Sequence, residues 1–323
     1  MHFSINRRAV LALSASTWLA PTAFAQGTPL RVILPIGPGS AVDTIARSVQ
    51  VALSKALNDQ PVVIENLPGA GGITGTTALV KAAPDGNTIA FLSNNHAVNP
   101  SVYKKLPYDS LNDITPISVV GGSPFVMLVN PNKIAAKNVK ELQALIKSKL
   151  GQFNYGSSGN GTIIHLAGEM FVDAIGGEVS HIPYKGMGPM LTDLMSGQVE
   201  MGVAAVAAVQ GYLKSGALRA IGVMGKSRVA SLPDVPTIAE QGFPEVDAVG
   251  WFAVAGPAKL PAAHVKRIHD AVVAAFNDPV VKATMAKQEN FINPMSPQAS
   301  AQYLKSEQER FAKLVAKADV KLD

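Results

Sequence analysis

The stretch Leu30-Arg31-Val32-Ile33-Leu34-Pro35-Ile36-Gly37-Pro38-Gly39-Ser40, with Val42, Ile45, Ala46, Val49, Leu53 and Leu57 after it, decides the fold class. Its first five residues read as a buried strand. A Gly/Pro loop ends the strand, and the apolar positions that follow recur three and four apart, as on one face of a helix. The same order returns downstream. Pro61-Val62-Val63-Ile64-Glu65 reads as a strand and Pro68-Gly69-Ala70-Gly71-Gly72 as its loop. A helical stretch then runs to about Ala83, and Thr88-Ile89-Ala90-Phe91-Leu92 is a third strand. Strand, crossover helix, strand is the signature of a parallel sheet covered by helices on both faces.

The middle of the chain repeats this alternation. Val139 to Lys149 is a helix, Phe153-Asn154-Tyr155 a short strand, and Thr162 to Ile175 a helix with Ile163, Leu166, Ala167, Met170, Phe171 and Ala174 apolar. Val199 to Val203 and Arg219 to Val223 read as strands, and Pro233, Pro236 and Pro244 mark irregular ground. Trp251 to Ala255 is a strand, and the remainder is helical with breaks at Pro279, Pro294 and Pro297. A chain of this length with one alternating pattern is expected to form two domains. The long apolar stretch Ile117 to Val129 reads as a segment crossing between lobes, and Trp251 to Ala255 as the return crossing. The expected division is residues 26–122 for the first part of lobe one, 123–249 for lobe two, and 250–323 for the return to lobe one.

Residues 1–25 read as a secretory signal. Arg7 and Arg8 precede an apolar run from Ala9 to Ala20, and Ala23-Phe24-Ala25 supplies the small-x-small pattern of a signal peptidase site. The mature chain is expected to start at Gln26; the arginine pair leaves both the general and the twin-arginine export routes open. The sequence contains no cysteine, which excludes disulfides and a lipid-bearing cysteine after the signal. A freely diffusing exported protein is expected in the periplasm of a double-membrane bacterium. Removing Arg7 and Arg8 from 28 basic residues leaves 26 against 23 acidic ones, a net of +3. The bases are scattered and aromatic residues sparse, so no nucleic-acid surface is indicated.

The chemistry sits at the strand-to-helix junctions. Gly37-Pro38-Gly39-Ser40, Pro68 to Gly72, and Gly156-Ser157-Ser158-Gly159-Asn160-Gly161-Thr162 are all rich in glycine. Such junctions expose backbone N–H groups at a helix start, where the dipole adds partial positive charge. In an open α/β sheet they collect at the carboxyl ends of strands, where ligands bind. Two such loops facing each other make a carboxylate clamp without an arginine; taken singly, each is also explained by the turn it makes. Asp43 stands one turn into the first helix, where it complements the dipole or holds loop backbone, and Thr162 is an expected N-cap. His96, His165 and His181 have no HExxH or carboxylate at metal-ligand spacing and read individually as structural. There is no P-loop, no GxSxG elbow and no cysteine nucleophile, so neither cofactor, metal nor catalytic constellation is expected.

In combination these pieces resemble the substrate-binding proteins of tripartite tricarboxylate transporters, the Bug or TctC-like family. The resemblance runs along the whole mature chain. It is carried by Pro35-x-Gly-Pro-Gly-x-x-x-Asp43-x-x-Ala46-Arg47, Val63-x-Glu65-Asn66-x-Pro68-Gly69-Ala70-Gly71-Gly72, Pro84-Asp85-Gly86 and His96-Ala97-Val98-Asn99-Pro100. Tyr103 to Tyr108, Ser158 to Thr162 with His165-Leu166-Ala167-Gly168-Glu169, Pro183-Tyr184-Lys185-Gly186, Gly197 to Glu200 and Leu232 to Thr237 follow in family order.

The resemblance implies a type II periplasmic-binding fold, two α/β lobes joined by two crossing strands that close on ligand like a hinge. It implies a monomer that delivers a small carboxylate to integral-membrane transporter subunits; a ligand-dependent sensor and an enzyme on the same fold stay open as alternatives. Carried over residue by residue, ligand contacts fall on Gly39 and Ser40, with Asp43 secondary, and on Ser158, Gly159, Asn160 and Thr162. Asn95, His96 and Tyr184 are expected at the cleft rim. Two departures bear on specificity. The first loop carries less glycine than the family's, with Ala41 and Val42 narrowing the approach. Ala204-Ala205 also stand where many relatives carry Asp-Asn. If that segment lines the cleft, the missing acid argues against amino acids and for an aromatic or aliphatic mono- or dicarboxylate; if it faces the core, it never meets ligand.

Overall fold

The computed structural model describes residues 28–38 and 40–317, so the expected signal segment, Gln26 and Gly39 lie outside the described residues. The chain runs β1 (Leu30–Leu34), α1 (Ala41–Ala56), β2 (Val62–Asn66), α2 (Ile73–Val80), β3 (Thr88–Ser93), α3 (Asn94–Val102) and β4 (Ile114–Val129). It continues through α4 (Val139–Ser148), β5 (Phe153–Ser157), α5 (Ile163–Ile175), β6 (Val179–Pro183), α6 (Met187–Ser196), β7 (Met201–Ala205), α7 (Val206–Lys214) and β8 (Arg219–Met224). It ends with β9 (Val249–Pro257), α8 (Ala262–Asn277), α9 (Pro279–Lys287), β10 (Phe291–Ile292) and α10 (Pro297–Lys317). Pro279 and Pro297 each open a helix, the place where a residue without an N–H is tolerated.

The strands follow the order β2-β1-β3-β9-β4-β7-β5-β6, with β10 and β8 also paired to β4. β1 is parallel to β2 and β3, and β5 is parallel to β6 and β7. The sixteen residues of β4 belong to both halves. Ile114 to Pro124 pair with β9, and Phe125 to Val129 pair with β7 and β8. This is a two-lobe α/β fold of the periplasmic-binding type, with β4 and β9 as the crossing strands. Gly121 and Gly122 sit where three strands crowd. A Cβ on Gly121 would stand 2.0 Å from the Phe291 carbonyl oxygen of β10, and one on Gly122 would stand 2.4 Å from the Gly250 oxygen of β9. Only glycine admits both backbones there.

Strand direction brings the functional ends together. Ser93, the last residue of β3, pairs with Phe252, which pairs with Gly121 of β4. Ala205, the last residue of β7, pairs with Phe125 of β4. Gly121 and Phe125 are four positions apart on one strand, about 13 Å. The carboxyl ends of the two parallel sets therefore converge on the crossing point from opposite sides.

Each lobe has its own core. In the first, Val42, Ile45, Ala46, Val49 and Leu53 of α1 pack on Leu30, Val32 and Leu34 of β1 and on Val272 and Phe276 of α8. In the second, Leu142 and Ile146 of α4 and Phe171 and Ile175 of α5 cover Tyr155, Met201 and Val203. Full burial of each large apolar side chain contributes about 1.5–3 kcal/mol. A third cluster spans the joint, where Leu166 of α5 packs with Trp251 of β9 and with Phe311 and Val315 of α10.

Candidate binding site between the two lobes

On the first lobe, the loop after β1 leads into α1. Ser40 is in extended conformation and caps the helix, its Oγ accepting from Asp43 N at 3.2 Å. Thr44 N bonds the Ser40 carbonyl oxygen at 2.9 Å, which leaves the amides of Ala41 and Val42 without an intramolecular acceptor among the described residues. The buried Asp43 carboxylate accepts from Arg47 Nε and from Asn66 Nδ2, both at 3.0 Å. Asn66 Nδ2 also donates to the Ile36 carbonyl at 3.1 Å, and Arg47 donates to Asn66 Oδ1 at 3.0 Å. The Asp43–Arg47–Asn66 group thus ties the first loop to the end of β2. Its charge is neutralised before any ligand arrives.

The second glycine loop packs on the first. Gly72 has φ 96°, and a Cβ on it would lie 3.0 Å from the Pro35 carbonyl oxygen. A small cavity forms where the two loops meet the β3–α3 junction, lined among others by Pro35, Ile36, Gly72, Ser93, Asn95 and Asn99. Asn95 is half-buried. His96 is turned inward: Nε2 lies 2.7 Å from the Ser110 carbonyl oxygen, and the ring stacks on Tyr108 at 6.1 Å between centroids. A carbonyl only accepts, so Nε2 carries the proton. Burial, partly offset by that bond, pushes the imidazole down to about 4.

On the second lobe, Thr162 caps α5 as the sequence indicates. Its Oγ1 accepts from His165 N at 3.3 Å and donates to the Gly159 carbonyl at 2.8 Å, while Ser158 Oγ donates to Thr162 Oγ1 at 3.3 Å. Asn160 is exposed. Gly159 and Gly161 have φ 130° and 70°, which lets the loop fold back over the helix start. The amides of Ile163 and Ile164, the first two of α5, have no intramolecular acceptor among the described residues. Tyr184 is half-buried beside this loop; its hydroxyl donates to Asp193 Oδ2 at 2.8 Å, and burial with that carboxylate pushes it up to about 12.

Ala204 is fully buried among Val126, Leu128 and Met190, so it offers no face to a cleft. Ala205 is half-buried at the end of β7 and stands at the N-cap of α7 with no side-chain cap. Sequence reasoning named Asn66 only as part of a family motif and passed over Asn94; these side chains brace the first loop and the crossing strand. Both lie at strand ends next to glycine or asparagine runs, which is the only signal the sequence holds for them.

Among the described residues no cluster of three or more His, Asp or Glu could hold a metal ion, and no helix is long and apolar enough to cross a membrane. The pattern of the tripartite tricarboxylate transporter family receptor, TctC, matches residues 45–320. Protein BugT of Bordetella pertussis is 33% identical over 296 residues, covering 91% of this chain and 90% of BugT. Among solved structures, R. palustris Rpa4515 with adipate superposes with a TM-score of 0.80 at 28% identity, covering 91% of this chain and 98% of that one. MatC from Rhodopseudomonas palustris with bound malate gives 0.76 at 26% identity, covering 89% and 98%. With a fold and loop set of this kind, the chain belongs to the TctC family of periplasmic solute-binding receptors, which bind rather than transform their solutes.

Proposed function

We propose that this receptor captures a small carboxylate between its lobes and passes it to the membrane subunits of a tripartite transporter. One observation carries the reading: glycine loops at the carboxyl ends of β1 and β5 each open a helix whose first amides have no internal acceptor among the described residues. Among the described residues no lysine or arginine lines the cavity on the first lobe. A carboxylate is then held by amides and helix dipoles, each dipole worth about 0.3–1 kcal/mol and more where partly buried. The contacts proposed are Gly39 and Ser40 on one side, Ser158, Gly159, Asn160 and Thr162 on the other, and Asn95 at the rim. Asp43 and Tyr184 support these loops from behind, and His96 stands at the rim, where it lines the first-lobe cavity.

The acid that many relatives carry falls at Ala204, which is buried and meets no ligand, so the ligand body is read from Ala205 beside it. An alanine at the end of β7 gives an ammonium group no polar partner from its own side chain, which favours an aliphatic or aromatic mono- or dicarboxylate over an amino acid. Relatives crystallised with malate and with adipate support a carboxylate. Closure is proposed about β4 and β9, with residues 26–122 and 250–323 as one lobe and 123–249 as the other, in a monomer exported with its signal removed after Ala25. The test is a thermal-shift screen of the exported protein against amino acids, tricarboxylates, aliphatic dicarboxylates and aromatic acids. A ligand at a hundredfold excess over Kd adds about 2.7 kcal/mol of stability. A shift with dicarboxylates or aromatic acids is expected; silence from every carboxylate would sink the proposal.

A further inference from the structure

Behind the Ser158–Thr162 loop lies a group of polar rings that the binding reading does not use. His165 of α5 and His181 of β6 stack face to face, 3.8 Å between centroids and 9° between planes. Tyr155 of β5 also stacks on His181, 4.9 Å between centroids, because the parallel register sets Tyr155 opposite His181. The Tyr155 hydroxyl donates to Glu169 Oε1 at 2.6 Å, and the same oxygen lies 3.5 Å from His165 Nε2. His181 Nε2 lies 2.6 Å from Ser157 Oγ.

This group reaches the loop through two amides. Gly161 N donates to His165 Nδ1 at 3.1 Å, and Gly159 N donates to Ser157 Oγ at 3.1 Å. The Gly161 bond fixes the tautomer of His165: Nδ1 is the lone pair, and Nε2 carries the proton toward Glu169. The amides of Ser158 and Asn160 have no intramolecular acceptor among the described residues. Engaged and unengaged donors therefore alternate along the loop.

We propose that His165 and His181 are positioning residues for the ligand, a stacked clamp that draws the Gly159 and Gly161 amides inward and so presents the Ser158 and Asn160 amides to the bound carboxylate. The proposal rests on the carboxylate reading above and adds which donors serve the ligand and what holds them. Burial first, and then the neighbouring His165, push His181 down to about 4, with Glu169 pulling the other way. Among the described residues, Glu169 is the acid that faces the rings. The next charges along α5 are Asp173 and Lys317, bonded to each other at 2.6 Å, with Lys317 coming from α10. Every bond named in the clamp is internal to the chain.

The test uses the exported protein labelled with ¹⁵N-glycine, in His165→Leu, His165→Asn and unaltered forms. Losing the acceptor for one amide is expected to speed Gly161 hydrogen exchange about tenfold in His165→Leu. His165→Asn places a carbonyl oxygen near the position of Nδ1 and is expected to restore protection. Adipate titration should show the same order, with Kd about tenfold weaker in the Leu variant and recovered in the Asn variant. Unchanged Gly161 exchange in a folded His165→Leu protein would overturn the clamp. So would a change in exchange with unaltered adipate affinity. If no form binds adipate or any carboxylate, the binding reading fails while the exchange data still decide the clamp. If His165→Leu does not fold, His165→Gln and His181→Phe give the same comparison through the loop amides.

Discussion

The side chain of Asn94 holds the backbone of Trp251: its Oδ1 accepts Trp251 N at 2.9 Å while its Nδ2 donates to the Val249 carbonyl at 3.0 Å. Asn94 is buried at the end of β3, and the backbone it grips is the start of β9, the strand on which the chain returns from the second lobe. One amide thus satisfies a donor and an acceptor that the sheet leaves open at the crossing. Asn94→Leu removes both partners at nearly constant volume and should cost about 2–4 kcal/mol. In a chain starting at Gln26, Trp251 is the sole tryptophan, so urea unfolding followed by its fluorescence reads the change at the crossing itself. A loss below about 0.5 kcal/mol would show that water serves these groups equally well.

Asp43 offers a direct way to separate loop bracing from ligand contact. A carboxylate beside the proposed carboxylate site would repel the ligand unless it is neutralised; Arg47 supplies that charge and Asn66 a further donor, at 3.0 Å each. Asp43→Ala removes these acceptors and frees the first loop from β2. The expected result is a loss of about 1–3 kcal/mol in the ligand-free protein, with weaker adipate binding following from the looser loop. A residue that served only the ligand would leave ligand-free stability unchanged. Chemical denaturation without ligand and calorimetry with adipate make the distinction.

Sequence periodicity located most of the scaffold because the strands and long helices carry their own signal. Leu30 to Leu34, Val139 to Ser148 and Ile163 to Ile175 match their expected elements within a residue or two. The elements it passed over are stabilised by their surroundings. α3 has the sequence Asn-Asn-His-Ala-Val-Asn-Pro-Ser-Val, with Pro100 inside it, and reads as a loop until His96 and Asn99 are seen buried. β6 is a five-residue edge strand ending in proline, and α6 begins Met-Gly-Pro. The strand expected at Val199 to Val203 lies two residues further on, at Met201 to Ala205, because an unbroken apolar run hides where β7 stops and α7 begins. The glycine loops were legible as loops. The His165–His181 stack was not, since it depends on the register between β5 and β6, which no local pattern encodes.

Two imidazoles, His96 buried and His181 partly buried, make stability fall with acid. His96 and His181 are both pushed from the ordinary 6.5 to about 4, in each case first by burial. A pKa that is lower in the folded protein means that the unfolded chain binds more protons between about pH 6.5 and 4. The folded state is therefore at full stability above pH 6.5 and loses it progressively as pH drops toward 4. For the fully buried His96 the loss by pH 5 is on the order of 2 kcal/mol. His181 is only partly buried, and solvent screening makes its share smaller. His96→Phe keeps a ring against Tyr108 and cannot take a proton. It should unfold more easily at pH 7, with the Ser110 carbonyl unpaired, yet show a shallower decline to pH 5 in urea titrations. An unchanged slope would move the acid sensitivity elsewhere in the molecule.

Ala205 is the half-buried neighbour of the buried Ala204, where many relatives carry an acid, and one substitution at Ala205 tests helix and specificity together. The residue stands at the N-cap of α7 with φ −66° and ψ 137°, the extended conformation a capping side chain needs, but its methyl group satisfies none of the helix's first amides. Ala205→Asp supplies that acceptor without altering the backbone and should stabilise the protein by about 1 kcal/mol. The same carboxylate then stands at the end of β7, on the side where the two parallel sets converge. An anionic ligand meets repulsion there, whereas an amino acid finds a partner for its ammonium group. Adipate binding is expected to weaken by about tenfold or more and glutamate binding to appear or strengthen, both read by calorimetry. Added stability with no change for either ligand would place Ala205 outside the contact shell. In that case the preference for uncharged ligand bodies would have to come from the loops of the first lobe alone.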